Sequence, residues 1–340
     1  MRWLLDILEL PSGCGVGFVT CATQANFSEL AAARHAILTR HGWDVEARGL
    51  FGAPPITVVV GDEVHVSVLR ALMTLGLGRD RVIRVPVDGQ GRMRADSLPP
   101  LDENTIVCIQ AGNVNTGAFD PADEIIAQAK AAGAWVHVDG AFGLWAAAAP
   151  GRKHLVKGFE NADSWATDAH KWLNVPYDSG IVIVRKPLHL RSAFSITAPY
   201  LIRGEQREPE DYTPEFSRRA RGVEVWAALR SLGRIGVAEM IERTCRHATH
   251  FAEGLKATGY NILNDVVINQ VLVSFGDETT TRRIIAAIQE EGTCWAGASI
   301  WQGKTAMRIS VSSWATTEQD VERSLEVMIR TADKIRSERS

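Results

Sequence analysis

Ser164-Trp165-Ala166-Thr167-Asp168-Ala169-His170-Lys171-Trp172-Leu173-Asn174 is the stretch on which the fold turns. Ser164 to Thr167 reads as a buried strand, and Ser179-Gly180 leads into a second one at Ile181 to Val184, so Asp168 to Asn174 is expected as a tight turn at the edge of a sheet. Working outward, β-branched runs recur at Ile56 to Val60, Arg81 to Val87, Thr105 to Gln110 and Trp135 to Val138. Between them, apolar residues at helical spacing mark Thr23 to Arg40, Val66 to Leu75 and Pro121 to Ala132. Strands alternating with helices predict an α/β fold, a mostly parallel sheet covered on both faces.

The texture changes at Val223. A long helical pattern through Trp226, Leu229, Leu232, Val237, Ile241 and Cys245 is interrupted only at Gly233 and Gly236. Strands at Val271 to Phe275 and Met307 to Val311 and helices at Thr280 to Glu291 and Glu318 to Ile335 follow, predicting a smaller C-terminal α+β domain. The expected division is therefore a large domain over 1–222 and a small one over 223–340. Residues 195–221 are polar, contain proline and have no period, which predicts a long mobile loop at the end of the large domain.

Of the 340 residues, 46% are hydrophobic and 23% charged, enough to bury a sizeable core. Lys plus Arg number 37 and Asp plus Glu 40, a net charge of -3. That balance gives no footprint for nucleic acid or a membrane surface, and it favours small-molecule partners. Cys14, Cys21, Cys108, Cys245 and Cys294 stand singly, which suits a reducing compartment. Asp6 and Glu9 interrupt the first apolar run before it reaches the length of an export signal, so a cytoplasmic location is expected.

Five segments carry chemistry. A lysine held on a turn between an imidazole and an indole, as Lys171 is, gains access to its neutral amine and hence to Schiff-base chemistry; a snorkelling surface lysine is the bland alternative. Asp139, in His137-Val138-Asp139-Gly140-Ala141, stands at the carboxyl end of a strand, where α/β proteins bind ligands, although a helix N-cap would also explain it. Thr20-Cys21-Ala22-Thr23-Gln24-Ala25-Asn26 opens the first long helix and offers an anion site there, or simply a cap. His65 follows the strand Ile56 to Val60 and could stack on an aromatic ligand, while Asn113-Val114-Asn115-Thr116-Gly117 offers amides at the same edge or merely a turn. A metal site from His137, Asp139, Asp168 and His170 is a further reading, and it leaves Lys171 unexplained.

Asp168 to Asp178 resembles the cofactor-lysine segment of the group II pyridoxal-phosphate (PLP) decarboxylases, the family of aromatic L-amino-acid decarboxylase and glutamate decarboxylase. His137 to Ala141 is similar to its aspartate segment, and Gly112 to Pro121 to the turn before it. The likeness extends through Trp226 to Gly233 and Met307 to Thr317. It implies the PLP-dependent transferase fold (fold type I), with a seven-stranded type of sheet. It also implies that Lys171 forms the Schiff base with PLP, Asp139 pairs with the pyridine nitrogen, His65 stacks on the ring, and Ala22 and Thr23 bind phosphate. Asp168 and His170 would lie beside the cofactor, with Asn113 and Asn115 as candidates for its phenolic oxygen.

Ala193 to Leu201 resembles the family's mobile catalytic loop, in which Tyr200 would help protonate the carbon left by CO2. The activity implied is decarboxylation of an L-amino acid, aromatic ones favoured, by a homodimer. An aminotransferase, a carbon–carbon lyase or a non-catalytic PLP-binding homologue are the alternatives. Cys21, Ala22 and Gln24 depart from the Gly or Ser and Glu of many relatives, and Asn113-Val114-Asn115 replaces a Thr-rich run. The family resemblance also implies a substantial helical region ahead of the phosphate segment; this sequence starts almost at that segment, which is read either as a fragment or mis-started sequence or as a pocket built differently.

Overall fold

The computed structural model describes residues 1–196 and 206–338. Contacts divide the chain into two units, Met1–Gly112 with Phe119–Val237 and Asn113–Ala118 with Ala238–Ser340. The division falls inside a long helix rather than at its start near Val223. The reason is local: a Cβ at Gly222 would lie 3.1 Å from the Phe18 ring, and Val225 and Leu229 are buried, so the first turns of that helix belong to the large unit.

The first unit holds a seven-stranded sheet. Its strands are β1 (Gly15–Val19), β2 (Thr57–Gly61), β3 (Ile83–Val85), β4 (Thr105–Gln110), β5 (Trp135–Asp139), β6 (Ser164–Asp168) and β7 (Gly180–Val184), in the order β1-β7-β6-β5-β4-β2-β3. Pairings from β6 through β5, β4 and β2 to β3 are parallel, whereas β7 runs antiparallel to both β1 and β6. Strands β4 to β7 are buried along their whole length, as near-continuous apolar strands covered on both faces must be.

Helices of this unit are α1 (Arg2–Ile7), α2 (Ala22–Arg40), α3 (Val45–Arg48), α4 (Val66–Thr74), α5 (Ala122–Ala131) and α6 (Pro187–Phe194), followed by α7 (Gly222–Ala257), which is broken by non-helical backbone at Gly233 and whose later part belongs to the second unit. Helix α2 has no polar stripe. It packs on β5, β6 and β7 with α4 and α6 on its other sides, so apolar and small residues such as Ala25, Leu30, Ala33 and Ile37 are buried all round it.

Two expectations need correction here. Arg81 to Val87 shrinks to the three residues of β3, because this is an edge strand whose Ile83 and Arg84 face solvent. Strand β1 was not legible, since Gly15 and Gly17 break the β pattern; Gly17 is required by close approach, a Cβ on it falling 2.3 Å from the Tyr212 carbonyl, and one on Gly15 would sit tightly, 3.1 Å from Pro187. The loop expected over 195–221 is also not uniformly solvated: Asp211, Tyr212 and Thr213 are buried, and a short 3-10 turn, Pro209–Tyr212, packs beside β1.

The second unit holds a four-stranded antiparallel sheet, β8 (Asn261–Ile262), β9 (Gln270–Ser274), β10 (Gly297–Trp301) and β11 (Lys304–Ser310), in the order β10-β11-β9-β8. Its core joins Phe251, Leu255, Val271, Val273, Met307 and Ile309 to apolar faces of α8 (Glu278–Glu291) and α9 (Glu318–Ser337). Helix α8 starts at an Asp277 cap and α9 at a Thr317–Asp320 capping box.

Candidate active site

Parallel strands place their carboxyl ends on one edge, and the chemistry-bearing residues leave the sheet there. Asp139 ends β5, Asp168 ends β6, His65 follows β2, and Cys21 follows β1 as the N-cap of α2. Gly180 begins the antiparallel β7 at this same edge, and a side chain on it would meet the backbone of Cys21 at 2.5–2.8 Å. The glycine therefore lets the start of α2 lie directly against the sheet.

Lys171 Nζ lies 3.0 Å from Asp168 Oδ2, and the lysine side chain is 37% exposed where its partner is 2%. Asp168 Oδ1 accepts the N–H of Ala22 at 2.6 Å, so one carboxylate ties the lysine to the first turn of α2. Burial raises the Asp168 pKa, opposed by the charge of Lys171. His170 Nε2 stands 3.7 Å from the same carboxylate, and its Nδ1 accepts the Ser179 N–H at 3.0 Å. Burial lowers the His170 pKa, and its ring stacks on Tyr177 at 4.0 Å between centroids. The carbonyl of Asp168 accepts the Trp145 indole N–H at 3.0 Å, fixing the turn from below.

Asp139 is buried. Its Oδ2 accepts from Asn26 Nδ2 at 3.2 Å and lies 3.3 Å from Ser67 Oγ, while Oδ1 accepts the Ala141 N–H at 3.2 Å. His65 caps α4, its Nδ1 accepting the Ser67 N–H at 3.2 Å and lying 2.7 Å from Ser67 Oγ. Ser67 thus links His65 to Asp139. Asn26 is one helical turn beyond Ala22, so α2 joins the Asp168–Lys171 pair at its tip to Asp139 a turn further in.

Among the sequence-predicted residues, Lys171, Asp168, His170, Ala22, Asp139 and His65 are joined into these two linked clusters. Thr23 is half-buried in the first turn of α2. Asn113 and Asn115 belong to the second unit. There Asn113 Oδ1 accepts the N–H groups of Asn115 and Thr116 in an Asx turn, and Asn115 Oδ1 accepts from Ser299. Tyr200 lies outside the described residues. Asn26 and Ser67 were missed; the signal available was an Asn on the same helical face as Ala22. Among the described residues no three His, Cys, Asp or Glu side chains are grouped so as to hold a metal ion.

The residues present fit PLP. Cys21 makes no side-chain cap bond, and the N–H groups of Thr23 and Gln24 have no intrahelical acceptor, which leaves donors for a phosphate at the start of a long helix. An amine for the aldehyde stands beside that helix tip, and a buried carboxylate for the pyridine nitrogen stands one turn deeper.

Known proteins carry the same arrangement of chain. Aromatic-L-amino-acid decarboxylase of Drosophila lebanonensis is 28% identical over 98% of this chain and 88% of its own length. Acidic amino acid decarboxylase GADL1 of Bos taurus is 30% identical over 65% of this chain, which spans 45% of that protein. The crystal structure of Oryza sativa TDC with PLP and tryptamine superposes with a TM-score of 0.89 at 22% identity, covering 98% of this chain and 74% of that one. Residues 1–276 match the family model described as the pyridoxal-dependent decarboxylase conserved domain. With most of its length matched, and with a lysine, a deep aspartate and an open helix start at one sheet edge, the chain belongs to the pyridoxal-dependent decarboxylase family.

Proposed function

We propose that the chain catalyses decarboxylation of an L-amino acid to its amine and CO2, with PLP held by Lys171. The observation that carries this is the double role of Asp168, which accepts from Ala22 at the tip of α2 and pairs with Lys171. It sets the distance between the phosphate donors and the amine that the aldehyde must reach. When bound, PLP supplies an electron sink for the charge left as the carboxylate departs. Asp139 would hold a proton on the pyridine nitrogen, and Asn26 and Ser67 would keep that carboxylate in place. Thr23 with the neighbouring backbone would bind phosphate, and His65 would cover the ring face. Tyr200 is proposed as the donor of the replacing proton.

Aromatic amino acids are the favoured substrates, because Ala193 to Leu201 resembles the aromatic branch; relatives named for aromatic substrates match nearly the whole chain, as does one named for L-2,4-diaminobutyrate. A cytoplasmic homodimer is part of the same proposal. All five cysteines are free, in keeping with a reducing compartment. A shallow depression on the large unit lined by Met1, Trp3, Trp226 and Leu229 leaves Trp3 and Trp226 half-exposed, as a face awaiting a second copy would.

The test is to load the protein with PLP and offer it a panel of L-amino acids. Release of CO2 with matching amine, fastest from aromatic substrates, is expected. Conversion of a keto acid to an amino acid without CO2 would identify an aminotransferase instead. Lys171→Ala is expected to abolish the visible band of covalently held PLP and its trapping by borohydride. Persistence of both would place the attachment elsewhere.

A further inference from the structure

Behind Asp139 and Asn26 the first unit buries three further polar side chains, His137, Ser164 and Trp135, that this reading does not use. The Trp135 indole donates to Ser164 Oγ at 3.0 Å, Ser164 Oγ lies 3.0 Å from His137 Nδ1, His137 Nε2 lies 2.9 Å from Asn26 Oδ1, and Asn26 Nδ2 donates to Asp139 Oδ2 at 3.2 Å. His137, Asn26 and Ser164 are wholly buried, so their bonds must be made internally or lost.

Donor and acceptor chemistry gives the string one direction. A carboxylate accepts, so the Asn26 amide turns its NH2 toward Asp139 and Ser67 and its oxygen toward His137. That oxygen can only accept, which places the imidazole proton on Nε2 and leaves Nδ1 as the acceptor for the Ser164 hydroxyl. Ser164 Oγ in turn receives the Trp135 indole N–H. Glu29 also faces His137, its Oε2 3.5 Å from Nδ1, while its Oε1 accepts the Ile183 N–H at 2.8 Å. Complete burial raises the Glu29 pKa well above the ordinary carboxyl range and lowers that of His137 to about 4.

We propose that His137 and Asn26 are positioning residues for the reaction: with Ser164 and Trp135 they form a one-way hydrogen-bond string that fixes the rotamer of Asp139 toward the pyridine nitrogen. The inference rests on the reading of Asp139 given above. Without the Nε2 donor the Asn26 oxygen loses its partner and the amide is held only through its NH2, by Ser67 and Asp139; a flipped amide would turn its oxygen on the carboxylate.

The test compares wild type, His137→Phe and His137→Gln for PLP affinity, for the visible spectrum of the bound cofactor, and for thermal stability without cofactor. His137→Phe is expected to fold, to weaken PLP binding at least tenfold and to shift the visible band. His137→Gln, which restores a donor toward Asn26, is expected to recover part of both. A folded His137→Phe protein with wild-type affinity and spectrum would overturn the proposal. Should that variant not fold, Asn26→Ser cuts the string at its last link and must show the same loss and band shift. Failure of the wild type itself to take up PLP would instead remove the underlying reading of the site, and the proposal with it.

Discussion

At the scale of single residues, the site depends on how few partners each buried charge has. Asp168 serves the Ala22 N–H and Lys171 at once, so Asp168→Ala is expected to loosen both ends of the cofactor site. A fall in PLP affinity of tenfold or more, read by titration of the visible band, is the predicted outcome; the loss of a charged hydrogen-bond partner in a buried setting is of that size. His137 carries a prediction about acid stability. Its folded pKa of about 4 lies below the ordinary histidine value of 6.5, so between those pH values the unfolded chain binds a proton that the native chain refuses. Stability from this residue is complete above about pH 6.5 and is lost as pH falls toward 4, by about 3 kcal/mol in all. The groups facing it are Glu29 on α2, Cys108 across the β4 pairing and Asp139 on its own strand. In denaturant unfolding, His137→Phe should show a shallower fall in stability over that pH range than wild type.

Secondary-structure elements explain which parts of the site could be read in advance. Lys171 and Asp139 announce themselves because each stands where an apolar strand stops, and that boundary is a local pattern. The alternation of β and α runs is equally local, and it matches the sheet and the helices that cover it. Asn26, Ser164 and the partner of His137 are not local. Their meaning comes from the register that sets His137 beside Ser164 and from α2 lying on that face, and no spacing along the chain encodes either. Strand β1 escaped notice for a related reason: its glycines answer a neighbour distant in sequence.

Gly180 turns this into a test. Gly180→Ala places a methyl into the backbone of Cys21, so the start of α2 must lift from β7. Overpacking of this kind costs about 1–3 kcal/mol, and PLP affinity is expected to fall further than thermal stability does. Thr317→Ala supplies the contrast. It removes the capping box of α9 in the other unit and should cost about 1 kcal/mol in thermal or denaturant unfolding without shifting the visible band of bound PLP.

For the whole molecule, the proposed homodimer makes the depression around Trp3 and Trp226 accountable. Trp226→Glu puts a charge on a half-exposed aromatic of that face, and sedimentation should then show a lighter species than wild type at equal concentration. An unchanged mass would move the contact elsewhere on the surface. The order in which the chain visits its two units has a separate consequence. Residues 113–118 are assigned with the C-terminal unit although more than a hundred positions separate them from Ala238. A gene fragment beginning at residue 238 would leave that hexapeptide behind, and one ending at 237 would carry it without its hosts: Asn264, which donates to the Thr116 carbonyl, and Ser299, which bonds Asn115. A cut between 237 and 238 therefore parts six residues from the partners that hold them, and moving the smaller unit intact means transplanting two separate stretches of code together.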